Sequence, residues 1–69
     1  MPLSMVREGE KNTIKKVGGK GETRRFLENL GFVVGGFVTV VSENDGNLIV
    51  KIKDSRVAIG KDMANKILV

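Results

Sequence analysis

Eight acidic side chains are the main candidates for metal binding or proton transfer in this sequence of 69 residues, because it contains no histidine and no cysteine. They are Glu8, Glu10, Glu22, Glu28, Glu43, Asp45, Asp54 and Asp62. Transition metals are usually held by imidazole, thiolate or converging carboxylates, and these eight fall into no recognisable ligand spacing. The sequence therefore predicts no metal site, no catalytic residue, no cofactor and no enzymatic activity.

The glycine-rich segment at residues 18–23, GGKGET, invites comparison with a phosphate-binding P-loop. That motif needs a serine or threonine directly after its lysine, so that the hydroxyl can bind a magnesium ion. Gly21 follows Lys20 here, so the comparison fails. We interpret these glycines as a flexible turn.

The formal net charge of +4 and the pI near 9.8 suit either simple solubility or an acidic partner. The basic side chains that lie close together in sequence are Lys15, Lys16, Lys20, Arg24 and Arg25. They could form one patch that faces such a partner. The alternative is a solvated helix face on which Arg24 pairs weakly with Glu28 at helical spacing. Both interpretations stay open.

Three phenylalanines are the only aromatic residues of the chain. Small barrels that bind single-stranded nucleic acid usually add aromatic platforms for bases, and grooves for proline-rich peptides are also lined by aromatic residues. Neither ligand is expected, although a small basic barrel associated with RNA or the ribosome is kept as the alternative function. Phe26, Phe32 and Phe37 are each interpreted as core residues.

The elements that must position these side chains include a helix predicted over residues 22–30. Its apolar residues are Phe26, Leu27 and Leu30, which share one side at helical spacing. Gly31 fits the left-handed residue that closes a helix, and this places Phe32 where it packs back on the last turn. The helix is too short to persist alone, so it must dock on a sheet.

Two strands are predicted over residues 37–41 and 48–53, joined by a turn with Asp45 and Gly46 as its loop residues. This turn pairs Val41 with Val50 and Thr39 with Ile52. A second turn at Asp54 and Ser55 pairs Ile52 with Val57 and Val50 with Ile59. The apolar face then carries Leu48, Val50 and Ile52, and the polar face carries Lys51, Lys53, Arg56 and Ala58.

The remaining elements are a strand over residues 13–17, a helical turn over 61–64 and a closing strand over 66–69. So few short strands avoid exposed edges best by curling into a barrel. The predicted fold is mainly β, a small SH3-like barrel of about five strands with one short inserted helix. The helix is expected to plug one end or side of a single domain that covers residues 1–69.

Three runs of the sequence resemble the small ferrous iron transport protein A (FeoA) family over nearly the whole chain. They read PLSMVREGEKNTIKKV, RRFLENLGFVVGGFVTVV and NLIVKIKDSRVAIGKDMANKILV. The most specific positions are Arg25, Leu27, Leu30, Gly31, Phe32, Gly35, Val57, Ala58, Ile59, Gly60, Ala64, Lys66 and Ile67. The resemblance implies an SH3-like barrel similar to the C-terminal domain of iron-dependent repressors, and it brings no catalytic residues.

The resemblance also implies a role as a cytosolic accessory protein in bacterial ferrous iron uptake. The implied partner is the membrane ferrous iron transporter that carries a cytosolic GTPase domain (FeoB-like), and the implied action is modulation of its assembly or activity. Direct iron binding, nucleic acid binding and membrane insertion are not expected, and a weak homo-oligomer is allowed. No apolar run approaches the roughly 20 residues that a membrane span needs, which agrees with a cytoplasmic location.

The loop after the predicted helix is the best candidate for a partner surface. Val33 and Val34 lie there between glycines, and an exposed apolar patch often marks a binding site. The alternative is that they complete the core. The predicted partner-binding residues are Arg24, Arg25, Phe32, Val33 and Val34. Many relatives have proline where Val34 precedes Gly35, so this connection is expected to be less restrained than theirs.

A third candidate function is a regulatory domain separated from an iron-dependent repressor, which would share the fold and contact a DNA-binding domain. Met1 and the closing strand at the end of the chain favour a complete protein over such a fragment.

Overall fold

The computed structural model describes residues 1–69 and contains six strands, two α-helices and a 3₁₀ turn. The strands are β1 (Lys11–Thr13), β2 (Lys16–Val17), β3 (Phe37–Asn44), β4 (Asn47–Ile52), β5 (Ser55–Gly60) and β6 (Ile67–Leu68). The helices are α1 (Glu22–Leu30) and α2 (Lys61–Ala64), and the 3₁₀ turn covers Leu3–Met5. The mainly β architecture, the inserted helix and the late helical turn are confirmed.

The strands form two antiparallel sheets. One has four strands in the order β1-β3-β4-β5, and the other pairs β2 with β6. Pro2 adds an isolated antiparallel bridge to Leu68, and the amino group of Met1 donates a 2.7 Å hydrogen bond to the carbonyl of Val69. The first and last residues of the chain therefore lie side by side next to the smaller sheet.

The single strand predicted over residues 13–17 is wrong, because the chain changes sheets there. The N–H of Ile14 donates to the carbonyl of Gly36 at 2.8 Å, while the N–H of Lys15 donates to the carbonyl of Leu68 at 2.7 Å. Ile14 is buried at this crossing. The division into β1 and β2 gives six strands where about five were expected.

The predicted loop of the hairpin between β3 and β4 is confirmed. Asp45 and Gly46 have φ angles of +49° and +81°, and a two-residue hairpin turn of type I′ needs a positive φ at both positions. Asn44 pairs with Asn47 across the turn. The Asp-Gly signal therefore identified both the turn and its length.

The predicted register of this hairpin is wrong towards the beginning of β3. The observed pairs are Val40 with Val50, Thr39 with Lys51 and Val38 with Ile52. Val41 is an extra residue at a β-bulge between Val40 and Ser42, so every pair before it shifts by one. Because side chains alternate along a strand, Val38 and Val40 enter the core and Thr39 lies on the outer face.

The second turn is formed by Lys53 and Asp54 rather than by Asp54 and Ser55, because Ile52 pairs with Ser55. The observed pairs are Val50 with Val57 and Leu48 with Ile59. The predicted pairs were displaced by two residues, which leaves each side chain on its predicted face. The apolar inner face of the meander is therefore confirmed, although its pairing was not.

The end of α1 has the hydrogen bonds of a Schellman motif. The N–H of Phe32 donates to the carbonyl of Leu27, and the N–H of Gly31 donates to the carbonyl of Glu28, each at 3.0 Å. Gly31 adopts a φ of +111°, which glycine reaches more easily than other residues. The motif turns Phe32 back under the helix, as predicted.

A single apolar cluster joins both sheets, both helices and the 3₁₀ turn. Its buried residues are Leu3, Ile14, Val17, Leu27, Phe32, Val38, Val40, Leu48, Val50, Ile52, Ile59, Ala64 and Ile67. Phe32 is the largest of its fully buried side chains. The prediction that all three phenylalanines are core residues is wrong for Phe26 and Phe37, whose side chains are 51% and 55% exposed.

Candidate protein-docking site

The loop between α1 and β3 presents two valines to solvent. Val33 is 38% exposed and Val34 is 63% exposed, so the alternative in which both complete the core is not what the fold shows. Phe26, on the preceding helix, is also exposed. We call Phe26, Val33 and Val34 the apolar patch.

A tight turn over residues 33–36 sets the position of Val34. The N–H of Gly36 donates to the carbonyl of Val33 at 3.0 Å, and Gly35 has a φ of +88°. Val34 is not among the residues with positive φ. These features define a type II turn with Val34 at its second position and Gly35 at its third. The side chain of Val34 therefore projects from the corner of the turn.

Two hydrogen bonds fix this turn to the core crossing at Ile14. The N–H of Gly35 donates to the carbonyl of Ile14, and the N–H of Ile14 donates to the carbonyl of Gly36, both at 2.8 Å. Although Val34 lacks the restraint of a proline, the backbone on its C-terminal side is held to a fully buried residue. The two valines of the apolar patch are therefore presented on an ordered loop.

Replacing Val34 with proline is expected to stabilise the protein by about 0.5–1 kcal/mol, because proline favours the second position of a type II turn and restricts the unfolded chain. The N–H of Val34 donates no backbone hydrogen bond that proline would remove. Urea denaturation followed by circular dichroism measures the change. Gly36→Pro is the control, and it should destabilise because it removes a donor. Equal effects of the two changes would contradict the turn assignment.

The predicted partner-binding residues fall into three groups in the structure. Arg24 and Arg25 are exposed in the first half of α1, and the nitrogen Nε of Arg24 lies 3.8 Å from Oε2 of Glu28, as predicted. Val33 and Val34 lie in the loop that follows the C-terminal end of the helix. The arginines therefore belong to α1 and the valines to the loop after it.

Phe32 is the member of the predicted set that the structure removes from the surface. Its side chain is 0% exposed, so it cannot contact a partner directly. Phe26 was missed, because it lies at position i+3 from Thr23 and so falls within the apolar side predicted for α1. In the structure Leu27 is buried and Leu30 is half-buried, whereas the side chain of Phe26 is 51% exposed.

The sequence of the whole chain, residues 1–69, matches the protein-family model of the FeoA domain. The chain belongs to the FeoA family. A Methanocaldococcus jannaschii protein provisionally named Fe(2+) transport protein A is 36% identical over 69 residues, with 99% of this FeoA-family chain and 83% of the relative covered. The resemblance drawn from the sequence is therefore confirmed.

Two crystal structures show the same fold. An iron uptake regulatory protein, also named FeoA, superposes with a TM-score of 0.89 at 26% identity over 97% of this chain and 91% of its own. Stenotrophomonas maltophilia FeoA in complex with zinc is described as an SH3 domain protein. It superposes with a TM-score of 0.88 at 24% identity, over 99% of this chain and 87% of its own. The predicted SH3-like fold is confirmed.

Neither helix of the FeoA-family chain has the length and apolar composition to cross a lipid bilayer. The fold also brings no three carboxylates into a group that could hold a metal ion. Of the residues in the apolar patch, Val33 and Val34 are the two that the sequence analysis predicted.

Proposed function

We propose that this protein is a cytoplasmic accessory component of ferrous iron uptake with no catalytic activity of its own. It docks on the cytosolic GTPase region of a membrane ferrous iron transporter and modulates the assembly or activity of that transporter. Membership of the FeoA family, together with the name of the M. jannaschii relative, supports the link to ferrous iron.

The observation that carries the docking proposal is the exposure of Val34 on an ordered turn. An apolar side chain that is already held in place loses little conformational freedom when a partner covers it, so its burial contributes more fully to affinity. Val33 and Phe26 are further exposed apolar residues, one on each side of Gly31 in the sequence. Such residues suit the centre of a small interface, and the exposed arginines of α1 suit its rim.

Replacing Val34 with aspartate is expected to weaken docking at least tenfold, because a carboxylate would lose its water in an apolar contact without gaining a partner. Calorimetric titration into the isolated GTPase domain of the transporter, at two salt concentrations and with each guanine nucleotide, measures the affinity. Circular dichroism of the variant verifies that it folds.

Met5→Asp is the matched control for this change. Met5 is also an exposed apolar residue, at 69%, and its 3₁₀ turn contacts α2. The control should bind as the natural protein does. A folded Val34→Asp variant with unchanged affinity would show that the patch is not the interface. Absence of binding by the natural protein, both to the isolated domain and to the full-length transporter, would reject the docking function itself.

A further inference from the structure

A row of polar side chains crosses the outer face of the four-stranded sheet. Lys11 pairs with Thr39, Thr39 with Lys51, and Lys51 with Arg56, so one residue from each strand contributes to the row. Residues directly opposite one another in a sheet project from the same face. Three of the four are therefore cations on one surface, on the side away from the core.

A shallow depression of 290 Å³ lies on this face. Its lining residues are Lys11, Phe37, Thr39, Lys51 and Lys53. The ammonium nitrogen of Lys11 lies 4.3 Å from the centre of the Phe37 ring. We call these five residues and Arg56 the cationic face. It has four positive charges, one hydroxyl and one aromatic ring, and it contains no carboxylate.

The positive charges of this face repel one another and reduce the local stability of the sheet. Lys51 and Arg56 are direct cross-strand partners, and like charges in that position destabilise a sheet. Neither forms an ion pair, whereas Arg24 and Lys61 elsewhere on the surface do. An anion bound here would relieve the repulsion between the cations.

We propose that the cationic face binds an acidic, extended segment of a protein partner. Neighbouring strands lie about 4.8 Å apart, so Lys51 and Arg56 are separated by one such spacing and Lys11 and Lys51 by two. An extended chain places alternate side chains about 6.7 Å apart on one side, which lies between these two spacings, so carboxylates on flexible side chains can reach cations of the row.

Single-stranded nucleic acid fits the face less well. Its phosphates would find the same cations, but its bases need aromatic surfaces on which to stack. Phe37 is the one aromatic residue among those that line the depression, and the ammonium of Lys11 already lies over its ring. The face therefore provides charge without a stacking platform, which favours carboxylates over nucleotides.

The proposal is tested by nuclear magnetic resonance titration of the ¹⁵N-labelled protein with a deca-glutamate peptide, a deca-glutamine peptide and deca-thymidylate. The glutamate peptide should shift the amide signals of the row across β1, β3, β4 and β5, with affinity that falls as salt rises. The glutamine peptide should shift none of them. The double variant Lys51→Gln, Arg56→Gln should weaken binding of the glutamate peptide by roughly three- to tenfold.

The double variant Lys20→Gln, Lys66→Gln is the matched control. Both lysines are exposed, neither is in an ion pair, and neither lies on the four-stranded sheet. This control removes the same charge and should leave the affinity within twofold. Equal weakening by the two double variants would show that only net charge matters, and tighter binding of deca-thymidylate would replace the acidic segment with nucleic acid.

The experiment uses no transporter domain, so its result is separate from that of docking through Val34. The double variant Lys51→Gln, Arg56→Gln is also expected to remain folded. Both substituted side chains are exposed, and their removal relieves a like-charge pair. A loss of affinity can therefore be assigned to the lost charges once the denaturation midpoint has been measured.

Discussion

Replacing Phe32 with alanine is expected to destabilise the protein by about 3–5 kcal/mol, the range for removal of a buried phenylalanine. Its side chain is 0% exposed and is the largest in the core. Domains of this size have total stabilities of about 3–10 kcal/mol, so the variant should be largely unfolded or close to it. Urea denaturation followed by circular dichroism measures the loss.

Phe32→Leu is the control that separates packing from binding. Leucine keeps most of the apolar volume, so this variant should lose less than about 2 kcal/mol and remain folded. If Phe32 only supports the loop from below, Phe32→Leu should dock with nearly natural affinity. A Phe32→Ala variant that folds with a natural denaturation midpoint but fails to dock would instead return Phe32 to the interface.

The end of the helix and the first hairpin turn could be predicted because local chemistry decides them. Gly31 ends α1 because the motif needs a residue that tolerates positive φ, and Asp45-Gly46 closes the hairpin for the same kind of reason. The bulge at Val41 depends instead on how the whole of β3 packs. Its neighbours Val40 and Ser42 carry no signal that distinguishes a bulge from a regular strand.

The bulge also decides which surface the molecule presents. Without it, Thr39 would face Ile52 on the core side, and Val40 would lie opposite Lys51 on the outer face. The row that joins Lys11 to Arg56 exists because the first half of β3 is shifted by one residue. For this reason the sequence pattern predicted a polar outer face of the meander but not the depression or its lining.

The apolar patch was only partly predictable, for a related reason. Val33 and Val34 lie between glycines, and that local pattern correctly marked a loop that could expose them. Residue type does not tell which of Phe26 and Phe32 is buried, since both are phenylalanines within or next to the same helix. What separates them is the Schellman motif, which turns Phe32 inward while Phe26 remains exposed on the helix.

Replacing Gly31 with valine is expected to destabilise the protein by about 2–3 kcal/mol. A residue with a side chain is strained at φ +111°, and a β-branched one more than most. A Cβ atom by itself would not clash, because it would lie 3.7 Å from the nearest atoms of Ile52, an ordinary contact. The variant Gly31→Asn should lose less stability, since asparagine tolerates positive φ better than valine does. Thermal and urea denaturation of both variants measure the difference.

Replacing Gly31 with valine is also expected to weaken docking, because Gly31 connects the helix to the loop that carries Val33 and Val34. Valine at this position would disturb the hydrogen bond from Phe32 to Leu27, and amide hydrogen exchange at Phe32 should accelerate in a variant that is still folded. Gly46→Ala is a matched control, since Gly46 also has positive φ but lies in a distant hairpin turn. It should lose stability without weakening docking. If Gly31→Val lost no more affinity than Gly46→Ala, the position of the loop would not depend on the end of α1, and the hydrogen bonds to Ile14 would suffice to hold Val34 in place.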